Sequence, residues 1–174
     1  MSDLLRSKDA MFTYKLVTPD TMPLLHELIL ESALEYGSQN EVSSTVEQLT
    51  EDAFGNCPAF QALLAWKNDE AVGFALWFTM YSAWKGKKTL YLEDLYVQPL
   101  WRKKSVGTNI FLKLEQIALK NNANLAWECS RDRLDLRRFF TNMGAIDRSD
   151  KVSFYMDAVE MEQHLSDYQK LKEQ

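Results

Sequence analysis

Residues 88–121 join a strand pattern to a helix pattern across a short cationic loop, and this junction constrains the fold most. Apolar and acidic side chains run through residues 90–97, Pro99 follows, and three cationic residues occupy 102–104. From residue 105 onward the apolar side chains recur at the spacing of an amphipathic helix. The residues that share its apolar face are Val106, Ile110, Leu114, Ile117 and Ala118. The pattern predicts a strand, a positive loop and the start of a helix.

Such a junction is suited to binding an anion. The first N–H groups of a helix have no partner within the helix, and that end carries a partial positive charge. Small residues at Ser105 and Gly107 let the backbone approach a ligand closely. We expect the pyrophosphate of a nucleotide cofactor there. The alternative is a solvated basic loop before an ordinary helix.

The remaining patterns predict an α/β fold with a mixed, mostly antiparallel sheet flanked by helices. Strands are expected at 11–17, 60–66, 71–80, 88–97, 125–129 and 152–157. Helices are expected at 19–37, 44–54, 105–121, 134–143 and 158–172. Because residues 68–70 read as a hairpin turn and Gly86 as the turn residue of the next connection, we expect an antiparallel meander followed by helical crossovers.

Composition narrows the class of protein. A chain of 174 residues fits one domain, expected at 11–174 after a short polar lead-in at 1–10. A net charge of −5 argues against a nucleic-acid partner. Cys57 and Cys129 stand in no metal or redox spacing, which favours reduced thiols in the cytoplasm and no metal. No apolar run is long enough to predict a membrane span.

The cationic junction resembles a known cofactor signature. Residues 102–107 read RKKSVG, which is similar to the Arg-x-x-Gly-x-Gly/Ala segment of the GCN5-related N-acetyltransferases (GNAT), enzymes that use acetyl-CoA. Ser105 stands where the signature has its first glycine. Serine is small and can cap a helix, but a positive φ there would be unfavourable.

The resemblance covers most of the chain, about residues 12–160. It is strongest to the spermidine/spermine (diamine) and thialysine acetyltransferase branch, and it implies the acyl-CoA N-acyltransferase fold. The matching segments are EYGSQNEV (35–42), LTEDAFGNCPAF (49–60), VGFALWFTMYSAWKGK (72–87), YLEDLYV (91–97) and FFTNMGA (139–145).

The resemblance implies a cofactor site built mainly on the strand and loop. In the family this strand splays from its neighbour, and its free backbone groups bind the cofactor. The N–H of Val97 would face the thioester oxygen. The implied cofactor-binding residues are Leu95, Tyr96, Val97, Arg102, Lys103, Lys104, Ser105, Val106, Gly107, Thr108, Arg133 and Phe140.

Glu93 is the implied catalytic residue, which accepts a proton from the amine directly or through water. The alternative is an acid at the mouth of the sheet with a basic partner nearby. Asp94 follows Glu93, so strand alternation places the two on opposite faces unless the strand is bulged. The implied substrate-binding residues are Glu35, Tyr36, Tyr81, Trp84, Glu93 and Asp94. Tyr81 and Trp84 could equally be aromatic residues that face the core.

Two positions depart from the branch. Phe140 stands where relatives carry a tyrosine that protonates the leaving thiolate, so water, Tyr96 or Tyr155 would have to replace it. The branch's Tyr-Asp-Pro-Trp reads Tyr-Ser-Ala-Trp at residues 81–84, which removes an acid expected to bind a distant ammonium group.

The sequence therefore predicts an acetyl-CoA-dependent N-acetyltransferase. We expect direct transfer of the acetyl group to a primary amine of a small cationic molecule, such as a polyamine, a diamine or a lysine-like amino acid. The alternatives are a non-catalytic CoA-binding module, or an enzyme that acetylates protein lysines or N-termini. The resemblance also implies a cytoplasmic homodimer, with no membrane or nucleic-acid partner.

Overall fold

The structure, a computed structural model, describes residues 12–148 and 156–172. It divides into two compact units, Met1–Glu128 and Cys129–Gln174. The strands of the first unit are β1 (Thr13–Leu16), β2 (Gln61–Lys67), β3 (Glu70–Ser82), β4 (Lys87–Val97) and β5 (Ala123–Trp127). Its α-helices are α1 (Met22–Tyr36), α2 (Val46–Phe54) and α3 (Val106–Lys120). The described part of the second unit contains α4 (Leu134–Asn142) and α5 (Ala158–Lys172).

The five strands of the first unit form one sheet in the order β1-β2-β3-β4-β5. Neighbours from β1 to β4 are antiparallel, whereas β4 and β5 are parallel. A parallel pair needs a crossover connection, and α3 supplies it. The predicted α/β class with a mixed, mostly antiparallel sheet is confirmed.

Several predicted boundaries are wrong by one to three residues. The strand expected at 125–129 is β5, which ends at Trp127, so Cys129 lies beyond it. The helix expected from Ser44 begins at Val46 instead. Its cap is Thr45, whose hydroxyl accepts a hydrogen bond from the N–H of Gln48 (3.2 Å).

The C-terminal predictions are tested only in part. The helix expected at 158–172 is α5. Most of the strand expected at 152–157 lies outside the described residues, as does position 11, and Met156 and Asp157 belong to no strand. No helix in the described residues has both the length and the apolar character needed to cross a bilayer.

The sheet buries both of its faces. On one face, side chains of β2, β3 and β4 pack against α1 and α2. The buried members of this cluster are Val17, Met22, Leu25, Leu28, Leu49, Ala62, Leu64, Phe74 and Tyr96. On the other face α3 packs with its apolar stripe, where Val106, Ile110 and Leu114 are almost completely buried. The Phe111 ring meets the ring of Trp127 in β5 edge to face, with centroids 4.7 Å apart.

Gly73 allows β3 and β4 to approach closely where β4 ends. A Cβ atom at this position would lie 2.6 Å from the carbonyl oxygen of Tyr96 and 3.2 Å from the Cα of Val97. Both are backbone atoms, so the strand itself would have to move. The absence of a side chain at Gly73 therefore sets the position of Tyr96 and Val97.

We expect Gly73→Ala to lower the free energy of unfolding by about 1–3 kcal/mol, because the added methyl group forces a backbone shift. Urea denaturation would measure it. Gly107→Ala is the matched control, since its Cβ would meet the side chains of Val97 and Leu95 at ordinary distances of 3.8 and 3.9 Å. Equal losses in the two variants would show that β3 and β4 are not closely apposed at Gly73.

Candidate active site

The sheet opens between β4 and β5. Their parallel pairing ends at Leu92 and Trp127, while β4 continues to Val97 along β3. In the described part of the first unit, residues 93–97 therefore have β3 on one side and no strand on the other. The splayed strand expected from the resemblance is present.

Hydrogen-bond alternation shows which backbone groups face the opening. The N–H of Gln98 donates to the carbonyl oxygen of Val72 in β3 (3.0 Å). In an antiparallel ladder such pairs alternate with pairs whose N–H and C=O groups point away from the partner strand. The main-chain groups of Val97 and Leu95 therefore point into the opening, whereas those of Tyr96 point toward β3.

Glu93 is the extra residue of a β-bulge. Leu92 is paired with Trp77 and Asp94 with Leu76, so Glu93 has no partner in β3. Trp77 and Leu76 are neighbours in a regular strand and face opposite sides of the sheet, and Leu76 packs on the α1 face. Asp94 thus faces α1. Glu93, next to Leu92, faces α1 as well.

The bulge determines whether Glu93 and Asp94 lie on the same face of the strand. A regular strand would have separated the two carboxylates, whereas the bulge places both on one face beside the opening.

Glu128 adds a third carboxylate that the sequence interpretation did not identify. It follows Trp127, the last residue of β5. Its charge raises the pKa of both Tyr91 and Glu93, so it lies near these two side chains. The available signal was its position at the carboxyl end of a parallel strand, where ligand-binding residues concentrate. No group of histidine, cysteine or acidic residues in the described segments is arranged to hold a metal ion.

The carboxyl groups of Glu93 and Asp94 hold their protons more strongly than usual, because the pKa of each is raised. The pKa of Glu93 is raised first by burial and then by the negative charges of Asp94 and Glu128. Burial also raises the pKa of Asp94, although both residues retain contact with solvent. A glutamate with a raised pKa is a stronger base, which suits it to accept a proton from an amine.

The cationic loop ends with exposed backbone donors. The N–H of Asn109 donates to the carbonyl oxygen of Ser105 (2.9 Å), which is the first hydrogen bond of α3. The N–H groups of Val106, Gly107 and Thr108 precede it and are thus available to an anion. Lys103 and Lys104 are exposed beside them. These donors and charges fit the pyrophosphate of a coenzyme.

Ser105 adopts the left-handed conformation that its glycine counterpart would favour. Its φ is +63° and its ψ is +10°. Its side chain makes no capping hydrogen bond, so the expected helix cap is absent. The backbone keeps the geometry of the glycine signature. Serine is strained in this geometry, because its side chain makes a positive φ unfavourable.

Two predicted ligands bind each other. Arg102, expected to contact pyrophosphate, donates two hydrogen bonds to Glu35, which was expected to contact the amine. The Nε of Arg102 donates to the carbonyl oxygen of Val97 (2.8 Å). The ring of Tyr96 lies beside this pair, with its centroid 5.7 Å from the guanidinium carbon of Arg102.

Tyr81, one of the three aromatic candidates for the substrate site, lies apart from Glu93 and Asp94. Tyr81 is paired with Lys88, five residues before Glu93, which corresponds to about 16 Å along the strand. Tyr81 and Trp84 are 68% and 101% exposed, so the alternative that they face the core is wrong. Tyr36 is also exposed, at the end of α1. Their roles in binding substrate stay predictions.

In the second unit, Arg133 and Phe140 have local partners. Arg133 donates to both carboxylate oxygens of Asp135 at 3.0 Å, and these bonds lower the pKa of Asp135 to about 2. The rings of Phe139 and Phe140 meet edge to face in α4. The helix ends as predicted, with Gly144 at a φ of +91°. The expected cofactor contacts of Arg133 and Phe140 stay predictions, and Tyr155 lies outside the described residues.

The splayed parallel pair, the bulged acidic strand and the open helix end characterise an acyl-CoA-type transferase fold. The sequence profile of the acetyltransferase (GNAT) family matches residues 25–145, and the chain belongs to this family.

Two curated relatives are N-acetyltransferases by name. Human spermidine/spermine N(1)-acetyltransferase-like protein 1 is 29% identical over 77% of this chain. Mouse thialysine N-epsilon-acetyltransferase is 32% identical over 66% of this chain. The matches span only 20% of the human protein and 66% of the mouse protein.

Solved structures share the fold. An aminoglycoside acetyltransferase from a soil metagenome, crystallised with trehalose, superimposes with a TM-score of 0.74 at 16% identity. The match covers 86% of this chain and 97% of the other.

We expect Ser105→Gly to raise the free energy of unfolding by about 1 kcal/mol, because glycine removes the strain of a left-handed serine. Urea denaturation would measure the change. Asn68→Gly is the control, since Asn68 also has a positive φ (+54°) but asparagine tolerates it well. A loss of stability in Ser105→Gly, or an equal gain in both variants, would contradict this account of the loop.

Proposed function

We propose that this chain transfers the acetyl group of acetyl-CoA directly to a primary amine of a small cationic molecule. The observation that carries the proposal is the bulge, because it sets two carboxylates beside an opening lined by unpaired strand backbone. Names of relatives support an amine as the acceptor, and acetyl-CoA is the general co-substrate of GNAT acetyltransferases.

The first unit supplies complementary groups for the acetyl donor. The N–H groups of residues 106–108, with Lys103 and Lys104, would hold the pyrophosphate. The backbone groups of Leu95 that face the opening would hydrogen-bond the amides of the pantetheine arm. The N–H of Val97 would donate to the thioester oxygen and stabilise the charge that develops there.

The carboxylates would bind and deprotonate the acceptor. The charges of Glu93, Asp94 and Glu128 attract an ammonium ion to the opening. Glu93 then takes one proton, directly or through water, and leaves the nitrogen with a lone pair. That lone pair forms the new C–N bond, and the C–S bond breaks with its electron pair on sulfur. The nitrogen then releases its second surplus proton to solvent, which leaves a neutral amide.

The departing thiolate needs a proton. Phe140 has none to give, and burial and the charge of Glu35 raise the pKa of Tyr96, which makes its hydroxyl a weaker acid. A thiol has a pKa of about 8.5, so water can protonate the sulfur. We therefore assign this step to solvent rather than to a side chain of the described residues.

The three-carboxylate face favours a substrate with more than one positive charge, such as a polyamine, a diamine or a lysine-like amino acid. We include in the proposal the homodimeric state and cytoplasmic location expected from the resemblance.

We expect Glu93→Gln to lower kcat by about 10²- to 10⁴-fold, because the amine then lacks its base. Its affinity for CoA should stay within about twofold of the wild type, because Glu93 faces the acceptor. The assay follows CoA release with a panel of polyamines, diamines and lysine-like amino acids, and calorimetry measures CoA binding.

Other outcomes separate the alternatives. CoA binding without turnover of any free amine or peptide would indicate a non-catalytic binding module. Faster acetylation of a peptide library than of free amines would indicate a protein acetyltransferase.

We expect Asp94→Asn to move the acidic limb of the pH profile of kcat/KM to lower pH. Glu93 must be ionised to act, and removal of the Asp94 charge lowers its raised pKa, so activity persists further into acid. Glu128→Gln should shift the limb in the same direction but less, because its charge raises the pKa of Glu93 less. Glu70→Gln, at the far end of β3, is the control. If the acidic limb of the pH profile did not move in either Asp94→Asn or Glu128→Gln, ionisation of Glu93 would not be its cause.

A further inference from the structure

Arg102 connects the end of α1 to the last residue of β4. Its Nη1 donates to Oε1 of Glu35 (2.7 Å) and its Nη2 to Oε2, which is a bidentate pair. Its Nε donates to the carbonyl oxygen of Val97 (2.8 Å). The guanidinium thus uses three donors on groups of the protein itself.

Tyr96 completes the cluster around Glu35. Its ring centroid lies 5.7 Å from the guanidinium carbon of Arg102. Burial, and then the charge of Glu35, raise the pKa of Tyr96, so the phenol stays protonated beside the ion pair. Both carboxylate oxygens of Glu35 are thus engaged by Arg102 rather than by a substrate.

The peptide that links Val97 to Gln98 is held at both ends. Arg102 binds its carbonyl oxygen, and its N–H donates to Val72. The side chain of Gln98 in turn donates to Glu31 (2.9 Å). Because Glu31 and Glu35 are four residues apart, they lie on the same face of α1. One face of α1 thus fixes the end of β4 at two points.

We propose that Glu35 and Arg102 are positioning residues that hold the Val97 backbone for acyl transfer, and that Arg102 is not a pyrophosphate ligand. This inference rests on the proposed function, since it concerns the residue whose N–H would face the thioester oxygen. It reassigns both side chains from ligand contact to support of the strand.

The expected effect is on rate rather than on folding. The two side chains are 41% and 34% exposed, and ion pairs this open contribute little to stability. A small displacement of a group that contacts the reacting atoms, however, lowers the reaction rate by about 10²-fold per ångström. Breaking the pair should therefore lower kcat while the protein stays folded.

The test compares two acetyl donors, acetyl-CoA and S-acetylpantetheine, which has the same thioester but no pyrophosphate. We expect Arg102→Lys and Glu35→Gln each to lower kcat/KM about 10- to 100-fold, by the same factor with either donor. The kcat/KM of the double variant should be no lower than that of the less active single variant, because the two residues act as one unit. Lys103→Met is the matched control for a phosphate contact and should impair acetyl-CoA alone.

Two results would overturn the inference. A loss confined to acetyl-CoA in Arg102→Lys would make Arg102 a phosphate ligand. A raised KM for the amine in Glu35→Gln, additive with the effect of Arg102→Lys, would make Glu35 a substrate ligand.

Amide hydrogen exchange tests the same inference without turnover. We expect the Gln98 N–H to exchange about tenfold faster in either variant, as for the local loss of one hydrogen bond. Unchanged exchange would contradict the positioning role. If the wild type acetylates no amine, the proposed function fails, while the exchange result still decides whether the pair holds this backbone.

Discussion

The candidate site depends on the point at which β4 leaves β5. Up to Leu92 the two strands share a regular parallel ladder, and one residue later β4 is bulged at Glu93. Because the split and the bulge are adjacent, backbone groups free to bind a ligand and paired carboxylates arise within five residues of one strand. The rest of the first unit keeps this strand in place, with α3 on one face, α1 on the other and Gly73 against its end.

Opposite charges are segregated along this strand. Acidic side chains lie at the bulge, on the face toward α1, and cationic side chains follow in the loop before α3. The net charge of −5 conceals this separation, since it sums over the whole surface. Arg102 belongs to the cationic sequence but is neutralised by Glu35, so Lys103 and Lys104 supply the remaining charge of the loop.

Periodicity predicted the fold well, because helix and strand patterns in this chain are long and are punctuated by turn residues. The site was predicted less completely. A bulge depends on how β4 pairs with β3. The alternation of residues 90–97 could therefore name a bulge only as the condition under which Glu93 and Asp94 share a face. The partner of Arg102 comes from α1, 67 residues earlier, and no local pattern indicates it. Glu128 was overlooked because β5 was predicted two residues too late, which put Glu128 inside the strand rather than just after its end.

The bulge also shows what the sheet requires of this sequence. Without residue 93, the strand from Leu90 to Val97 would alternate regularly, with leucine and valine toward α3 and Tyr91, Asp94 and Tyr96 toward α1. The apolar faces would be unchanged, so packing gives no reason for the additional residue. Glu93 is in effect an insertion that neither improves nor disturbs packing of the hydrophobic core. Selection for chemistry can therefore act on it almost independently of selection for folding.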